Sequence, residues 1–159
     1  NPKLEWLKDF LTDKKGKVVV YTWFKDSARA VVDSLGKEAI LITGDIAPGK
    51  RSGDVDRWRK PDGPNILVAT IPSLKEGINL TEARDIVFLE HSELPADQEQ
   101  CIKRLCRRGQ TSIVQVHHVW ANESVDLPIK KVLENRNLGI TEALAKWIAE
   151  DDSEADWFN

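Results

Sequence analysis

The sequence predicts an α/β fold: a mostly parallel sheet of about five to six strands, with helices on both faces. Three observations carry this expectation. Strand-like runs alternate with helix-like stretches along the chain. The strand-like runs are short and continuously apolar, as in strands covered on both faces, and lack the in-out alternation of a half-exposed sheet. The 159 residues are the size of one domain, and neither an internal repeat nor a dividing linker interrupts them.

The elements follow in order. Pro2–Lys14 is an amphipathic helix with Leu4, Leu7, Phe10 and Leu11 at helical spacing, ended by Gly16. Lys17–Trp23 is a buried strand by its β-branched run. Phe24–Ser34 follows as a helix, and Gly36 stops it. Ala39–Thr43 is a second strand, Gly44–Gly53 a polar Gly-rich loop, and Asp54–Lys60 a short helix. Pro61-Asp62-Gly63-Pro64 is a turn by composition. Asn65–Thr70 is the third strand, Ile71–Leu80 a loop with one helical turn, and Asp85–Glu90 the fourth strand. Leu94–Arg107 is a helix entered through Pro95 in its first turn. Ser112–Trp120 is a fifth strand, and Glu123–Arg136 and Thr141–Glu150 are helices. Residues 1–150 are expected to form the domain and 151–159 an acidic tail.

Composition bounds the function. Hydrophobic residues are 41% and charged residues 31%, ordinary for a globular protein. The formal net charge of −3 gives no overall basic field, so any nucleic-acid contact must come from a local patch. No run approaches the eighteen or so apolar residues of a membrane span, and no membrane partner is expected. Cys101 and Cys106 fall on different faces of one predicted helix, so they read as two reduced thiols in a cytosol-like compartment. His117 and His118 alternate across a strand and cannot face one metal together, so no metal site is expected. The start at Asn1 without Met suggests a fragment or a processed chain.

Two stretches carry candidate chemistry. In Gln100–Gln110, Arg104 and Arg107 lie three apart, which on a continuous helix projects both guanidinium groups from one face, while Ile102 and Leu105 anchor the other. Arginine offers a rigid fork of donors and a permanent charge, which suits a polyphosphate; a solvated basic helix end is the plainer alternative. Gly44-Asp45-Ile46-Ala47-Pro48-Gly49-Lys50 fits the first seven places of a phosphate loop. The eighth place, a magnesium-binding Ser or Thr in such loops, is Arg51, and Pro48 removes a backbone donor beside the Gly-Lys pair. It reads as a turn with a basic rim.

Four stretches, in order, resemble the motifs of the second RecA-like lobe of superfamily 2 helicases and translocases, closest to the Swi/Snf-like branch. Lys17–Arg29 looks like motif IV with its following helix. Ile42–Trp58 is similar to the family's Gly turn, small-Pro loop and Arg-bearing helix, with Arg51 and Trp58 in the places of its Arg and aromatic residue. Ile66–Leu80 resembles motif V through Glu76-Gly77-Ile78-Asn79-Leu80, and Gln100–Gln110 resembles motif VI, Q-x-x-x-R-x-x-R-x-G-Q. Motif V keeps only the last of the branch's usual glycines, and motif VI has Lys103 and Cys106 where an acid and a His are common.

The resemblance implies a RecA-like three-layer sandwich and the second motor lobe of a nucleic-acid-dependent ATPase, a DNA translocase or helicase. It implies that Arg107 is an arginine finger, that Arg104 supports it, and that Gln100, Gly77 and Asn79 line the nucleotide cleft. Thr22, Lys25, Gly44, Thr70, Ser73 and Lys75 lie at strand ends or just after them and are expected to face nucleic acid, most simply double-stranded DNA. ATP and Mg²⁺ would be bound mainly by a first RecA-like lobe absent from this chain, the expected intramolecular partner. The setting would be cytoplasmic, or nuclear in a eukaryote. A degenerate lobe that binds nucleic acid or protein without ATP turnover is the alternative. A Rossmann-type enzyme is disfavoured, because no G-x-G-x-x-G follows the first strand.

Overall fold

A computed structural model describes residues 1–76, 78–106 and 113–121, with the backbone alone at 74–76. Five strands, β1 (Lys17–Thr22), β2 (Ala39–Ile42), β3 (Ile66–Thr70), β4 (Ala83–Phe88) and β5 (Gln115–His118), form one sheet in the order β2-β3-β1-β4-β5. Every pairing is parallel, with Val20 beside both Val68 and Val87 in the central three strands. The α/β expectation therefore holds, and β1, buried along its whole length, is the centre of the sheet.

The helices divide between the two faces. On one side α1 (Pro2–Thr12) and α2 (Lys25–Leu35) pack Leu7, Ala28 and Val31 against Val18, Val20, Val68 and Val87. On the other, α3 (Pro48–Arg59) and α4 (Pro95–Lys103) bring Val55, Trp58 and Cys101 onto Val19, Tyr21, Leu67 and Phe88. Successive strand residues point to opposite faces, so this double covering is why the strands read as unbroken apolar runs. Among the described residues no helix is long and apolar enough to cross a membrane.

Local chemistry sets the helix ends. The Asn1 side chain caps α1 by accepting from the Lys3 amide at 3.0 Å. Gly36 ends α2 with φ +65°, a conformation that glycine adopts without the penalty of a Cβ. The turn before β3 is pinned from beneath the sheet: the Lys17 ammonium donates to the carbonyls of Lys60 (2.7 Å), Gly63 (3.3 Å) and Pro64 (3.1 Å). Burial pulls the Lys17 pKa down, the nearby Asp62 and Glu38 charges opposing it.

Two expected boundaries are corrected. The stretch Gly44–Gly53 is not all loop: α3 begins at Pro48, six residues before the predicted Asp54. Pro48 occupies the first helical turn, where a missing N–H leaves no intrahelical bond unmade. The helix predicted over Leu94–Arg107 stops at Lys103. Beyond it the Arg104 and Leu105 amides bond three residues back, to Cys101 (3.2 Å) and Ile102 (3.0 Å), tightening the turn and burying Leu105. The expectation that Arg104 and Arg107 share a face of one continuous helix therefore loses its premise at Arg104, and Arg107 lies outside the described residues. The predicted helices Glu123–Arg136 and Thr141–Glu150 and the tail 151–159 also lie outside them.

Candidate functional site

The loops that follow β1, β2 and β3 leave the same end of the parallel sheet. At the β1–α2 junction, Thr22 is fully buried and its hydroxyl donates to the Phe24 carbonyl at 3.1 Å. Phe24 has no side chain able to cap α2, and a carboxylate just beyond the end of β4 bonds the backbone there instead. Glu90 Oε1 accepts from the amides of Trp23 (3.0 Å) and Phe24 (3.2 Å), while Oε2 accepts from the Ser27 hydroxyl (3.0 Å). The clamp holds Trp23 and Phe24 with their rings exposed, at 37% and 61%.

The loop after β2 is tied to α2. Asp45 faces Arg29 at 3.0 Å and Lys25 at 3.9 Å, and it accepts from the Thr43 hydroxyl. The Thr43 bond and then a bond from its own amide hold the Asp45 carboxyl below its usual pKa, with burial opposing them and the Lys25 and Arg29 charges each adding less. The Lys25 charge is half-exposed and points to this loop; Gly44 is exposed, with open space where a Cβ would stand. After β3, Thr70 and Ser73 are buried, and the Ser73 hydroxyl donates to the Thr70 carbonyl at 2.7 Å. The Thr22 and Ser73 hydroxyls thus brace their own loops, and of the residues expected at a nucleic-acid surface Lys25 and Gly44 are the exposed ones. The Lys75 side chain and Gly77 fall outside the described residues.

The segment that leads into β4 and the turn after α4 meet through one peptide group. The Leu80 amide donates to the Arg104 carbonyl at 2.7 Å, so the exposed Asn79 and the half-buried Arg104 sit at one joint. The carbonyl of that same peptide, on Asn79, accepts from the Arg59 guanidinium at the end of α3. Beside it a cavity of about 310 Å³ is lined by Pro48, Arg51, Ser52, Arg59, Ile78 and Asn79. The Arg104 charge acts inward on Tyr21 and Cys101, favouring their ionised forms. Burial outweighs it: Tyr21 is raised well above its ordinary value and Cys101 to about 12. Gln100 is exposed on α4 and lines a different hollow, of about 230 Å³, with Trp23, Ile71, Pro72, Leu94 and Asp97.

The phosphate-loop lookalike has its Lys50 exposed on the first turn of α3, behind Pro48. His117 pairs with Asp85 at 2.9 Å and His118 with His91 at 3.1 Å, on separate partners as their alternation implies. Trp58 is buried in the core. Sequence reasoning passed over Arg59 and Glu90. Arg59 ends a helix whose start was placed too late, and Glu90 was read only as the end of a strand.

The all-parallel sheet, covered on both faces and carrying its loops at one end, places the chain in the class of RecA-like α/β lobes. The chain belongs to the helicase conserved C-terminal domain family, which matches residues 2–109. It is a C-terminal lobe of the superfamily 2 ATP-dependent helicases, with Swi/Snf-like relatives. It is 28% identical over 134 residues to the SNF2 domain-containing protein CLASSY 4 of Arabidopsis thaliana, covering 77% of this chain and 12% of that protein. It is 25% identical over 153 residues to the ATP-dependent helicase FUN30 of Saccharomyces cerevisiae, covering 94% of this chain and 13% of that one. The crystal structure of the C-terminal part of the Fun30 ATPase domain superposes with a TM-score of 0.72 at 25% identity, covering 82% of this chain and 44% of that chain. The chain thus spans about an eighth of the curated relatives named here.

Proposed function

We propose that this chain is the second motor lobe of a nucleic-acid-dependent ATPase, a DNA translocase or helicase, completed by an N-terminal RecA-like lobe. The observation that carries the reading is the 2.7 Å bond from the Leu80 amide to the Arg104 carbonyl, which couples the end of motif V to motif VI. Through it, a shift of the loop after β3 is felt at the arginine-bearing turn. A lobe of this kind needs such a link between nucleic acid and nucleotide.

Three of the residues present carry groups that suit a nucleotide, though Asn79 and Gln100 line separate hollows. Asn79 and Gln100 offer exposed carboxamides, and Arg104 a fixed positive charge, all suited to anionic oxygens. Mg²⁺ and the phosphate cradle are assigned to the first lobe by the resemblance to two-lobed ATPases. ATP supplies a phosphoryl group whose transfer to water powers movement. Arg107 is the finger in this reading: its guanidinium stabilises charge developing on the transferred group, an effect typically of about 10³–10⁵ in rate. Arg104 supports it, and Gln100, Gly77 and Asn79 orient the nucleotide. Lys25 and Gly44 lie at the exposed loop ends where DNA phosphates would pass, while Thr22, Thr70 and Ser73 shape that surface; Lys75 is assigned to it by its place in the sequence. Double-stranded DNA fits contacts of this kind, which track a backbone without reading bases.

The test is Arg107→Ala in the full-length protein. Nucleic-acid-stimulated ATPase should fall by about 10³ or more while ATP binding persists. An unchanged rate would remove the finger, and absence of turnover in the parent protein would leave the lobe as a binding module.

A further inference from the structure

We infer that Arg59 is a positioning residue for the joint between motifs V and VI, a role that deepens the motor-lobe reading and rests on it. The geometry is a three-part relay. Arg59 ends α3, and its Nη2 donates to the Asn79 carbonyl. The amide of that same peptide group, on Leu80, donates to the Arg104 carbonyl at 2.7 Å. One planar peptide therefore has both of its polar atoms taken, by α3 on one side and by the turn after α4 on the other. A carbonyl that accepts a charge-assisted bond polarises its peptide and strengthens the bond its N–H donates. Because the group is planar, fixing its oxygen also fixes the direction of its N–H.

The guanidinium is itself held. Arg59 Nε faces Glu82 at 3.3 Å, and Nη1 faces Asp56, one turn back on α3, at 3.3 Å. Glu82 lies two residues beyond Leu80, so Arg59 bonds the backbone before Leu80 and the side chain after it. It spans the bend that carries the chain from motif V into β4. The planar fork of arginine can serve these partners together; a lysine ammonium, a single point, cannot reproduce the spread. The end of α3 is anchored, since the neighbouring Trp58 is fully buried and its indole N–H donates to the Asn65 carbonyl at 3.1 Å. Arg59 thus transmits the fixed position of α3 to the Asn79–Leu80 peptide and through it to Arg104.

The experiment uses the full-length protein and compares Arg59→Gln, Arg59→Lys, Arg104→Ala and the Arg59→Gln/Arg104→Ala double variant. The relay expects kcat of nucleic-acid-stimulated ATPase to fall about tenfold in Arg59→Gln, with KM for ATP within about twofold, because a small misplacement of a charge-bearing turn acts on the transition state. Arg59→Lys should fall between Gln and wild type. The double variant should be no worse than Arg104→Ala, because both changes act on one element. Hydrogen exchange at the segment containing Leu80 should accelerate in Arg59→Gln, and this readout applies even where a variant lacks activity. Unchanged kcat and exchange in Arg59→Gln would overturn the inference, as would additive losses in the double variant. So would a fall in melting temperature that accounts for the whole loss of activity. If Arg104→Ala itself leaves ATPase intact, the motor reading of motif VI fails, whereas an effect at Arg104 with none at Arg59 sinks the relay alone.

Discussion

Replacing Trp58 with Phe separates packing from hydrogen bonding at the foot of α3. Trp58 is fully buried, and its indole donates to the Asn65 carbonyl at 3.1 Å. That carbonyl also accepts from the Val18 amide at 2.9 Å, so it keeps one partner when the indole is gone. The loss is therefore that of a net hydrogen bond, about 1 kcal/mol, and not the larger penalty of an orphaned buried group. Phe leaves the second ring of the indole unfilled, a partial cavity worth about another 1 kcal/mol. Trp58→Phe should destabilise the chain by about 2 kcal/mol, and Trp58→Ala, which empties the site, by about 4–6 kcal/mol. Urea unfolding of the 159-residue chain followed by circular dichroism gives both values by linear extrapolation. A loss below about 0.5 kcal/mol for Trp58→Phe would refute the reasoning. So would equal losses for the two variants, since the packing of the first ring is what distinguishes them.

Three further outcomes follow from burial and contact. Tyr21 is the single tyrosine of the chain, buried, and raised well above 10.0 chiefly by that burial. The unfolded chain releases this proton near pH 10 and the folded chain retains it, so the contribution is complete below pH 10 and is lost as pH rises further. Absorbance at about 295 nm should show no tyrosinate until the chain unfolds; a titration centred near pH 10 with the fold intact would refute the burial argument. Burial pushes Cys101 to about 12 and Cys106 to about 11, so both thiols should react slowly with Ellman's reagent at about pH 8, Cys106 first, and normally in urea. Rapid labelling of the native chain would contradict this. A Cβ on Gly63 would stand 2.0 Å from the Arg57 carbonyl oxygen, so Gly63→Ala should cost more than about 2 kcal/mol, and an unchanged melting temperature would show that the turn is looser than described.

Much of the sheet was legible because a strand buried on both faces has to be apolar throughout. Val18-Val19-Val20 and Ile66-Leu67-Val68 satisfy two helix layers at once, and that demand leaves an unbroken run. The strand order was not legible, since β3 sits between β2 and β1 through contacts that no local pattern encodes. The start of α3 was hidden because Pro48, Gly49, Ser52 and Gly53 have loop composition; the helix is held by the burial of Arg51, Val55 and Trp58. The early end of α4 was hidden for the opposite reason. Nothing in its sequence breaks a helix, and the Arg104 carbonyl is instead taken by the distant Leu80. At the candidate site, motif spacing pointed to Asn79, Gln100 and Arg104. Arg59 and Glu90 act through backbone atoms far along the chain, and such pairings leave no trace in a linear pattern.

The Glu90 clamp has a consequence for how this end of the sheet treats anions. The start of a helix ordinarily offers unpaired amides and a partial positive charge, a ready seat for phosphate. At α2 a carboxylate already stands beside that seat, because Glu90 takes the Phe24 amide at the cap and the Trp23 amide before it. A phosphodiester approaching there meets a resident negative charge and must pass it by. Were the proposed nucleic acid to cross this end of the sheet, the Glu90 charge beside the start of α2 would oppose its phosphates there, and Lys25, the first residue of that helix, would be the cation next to it.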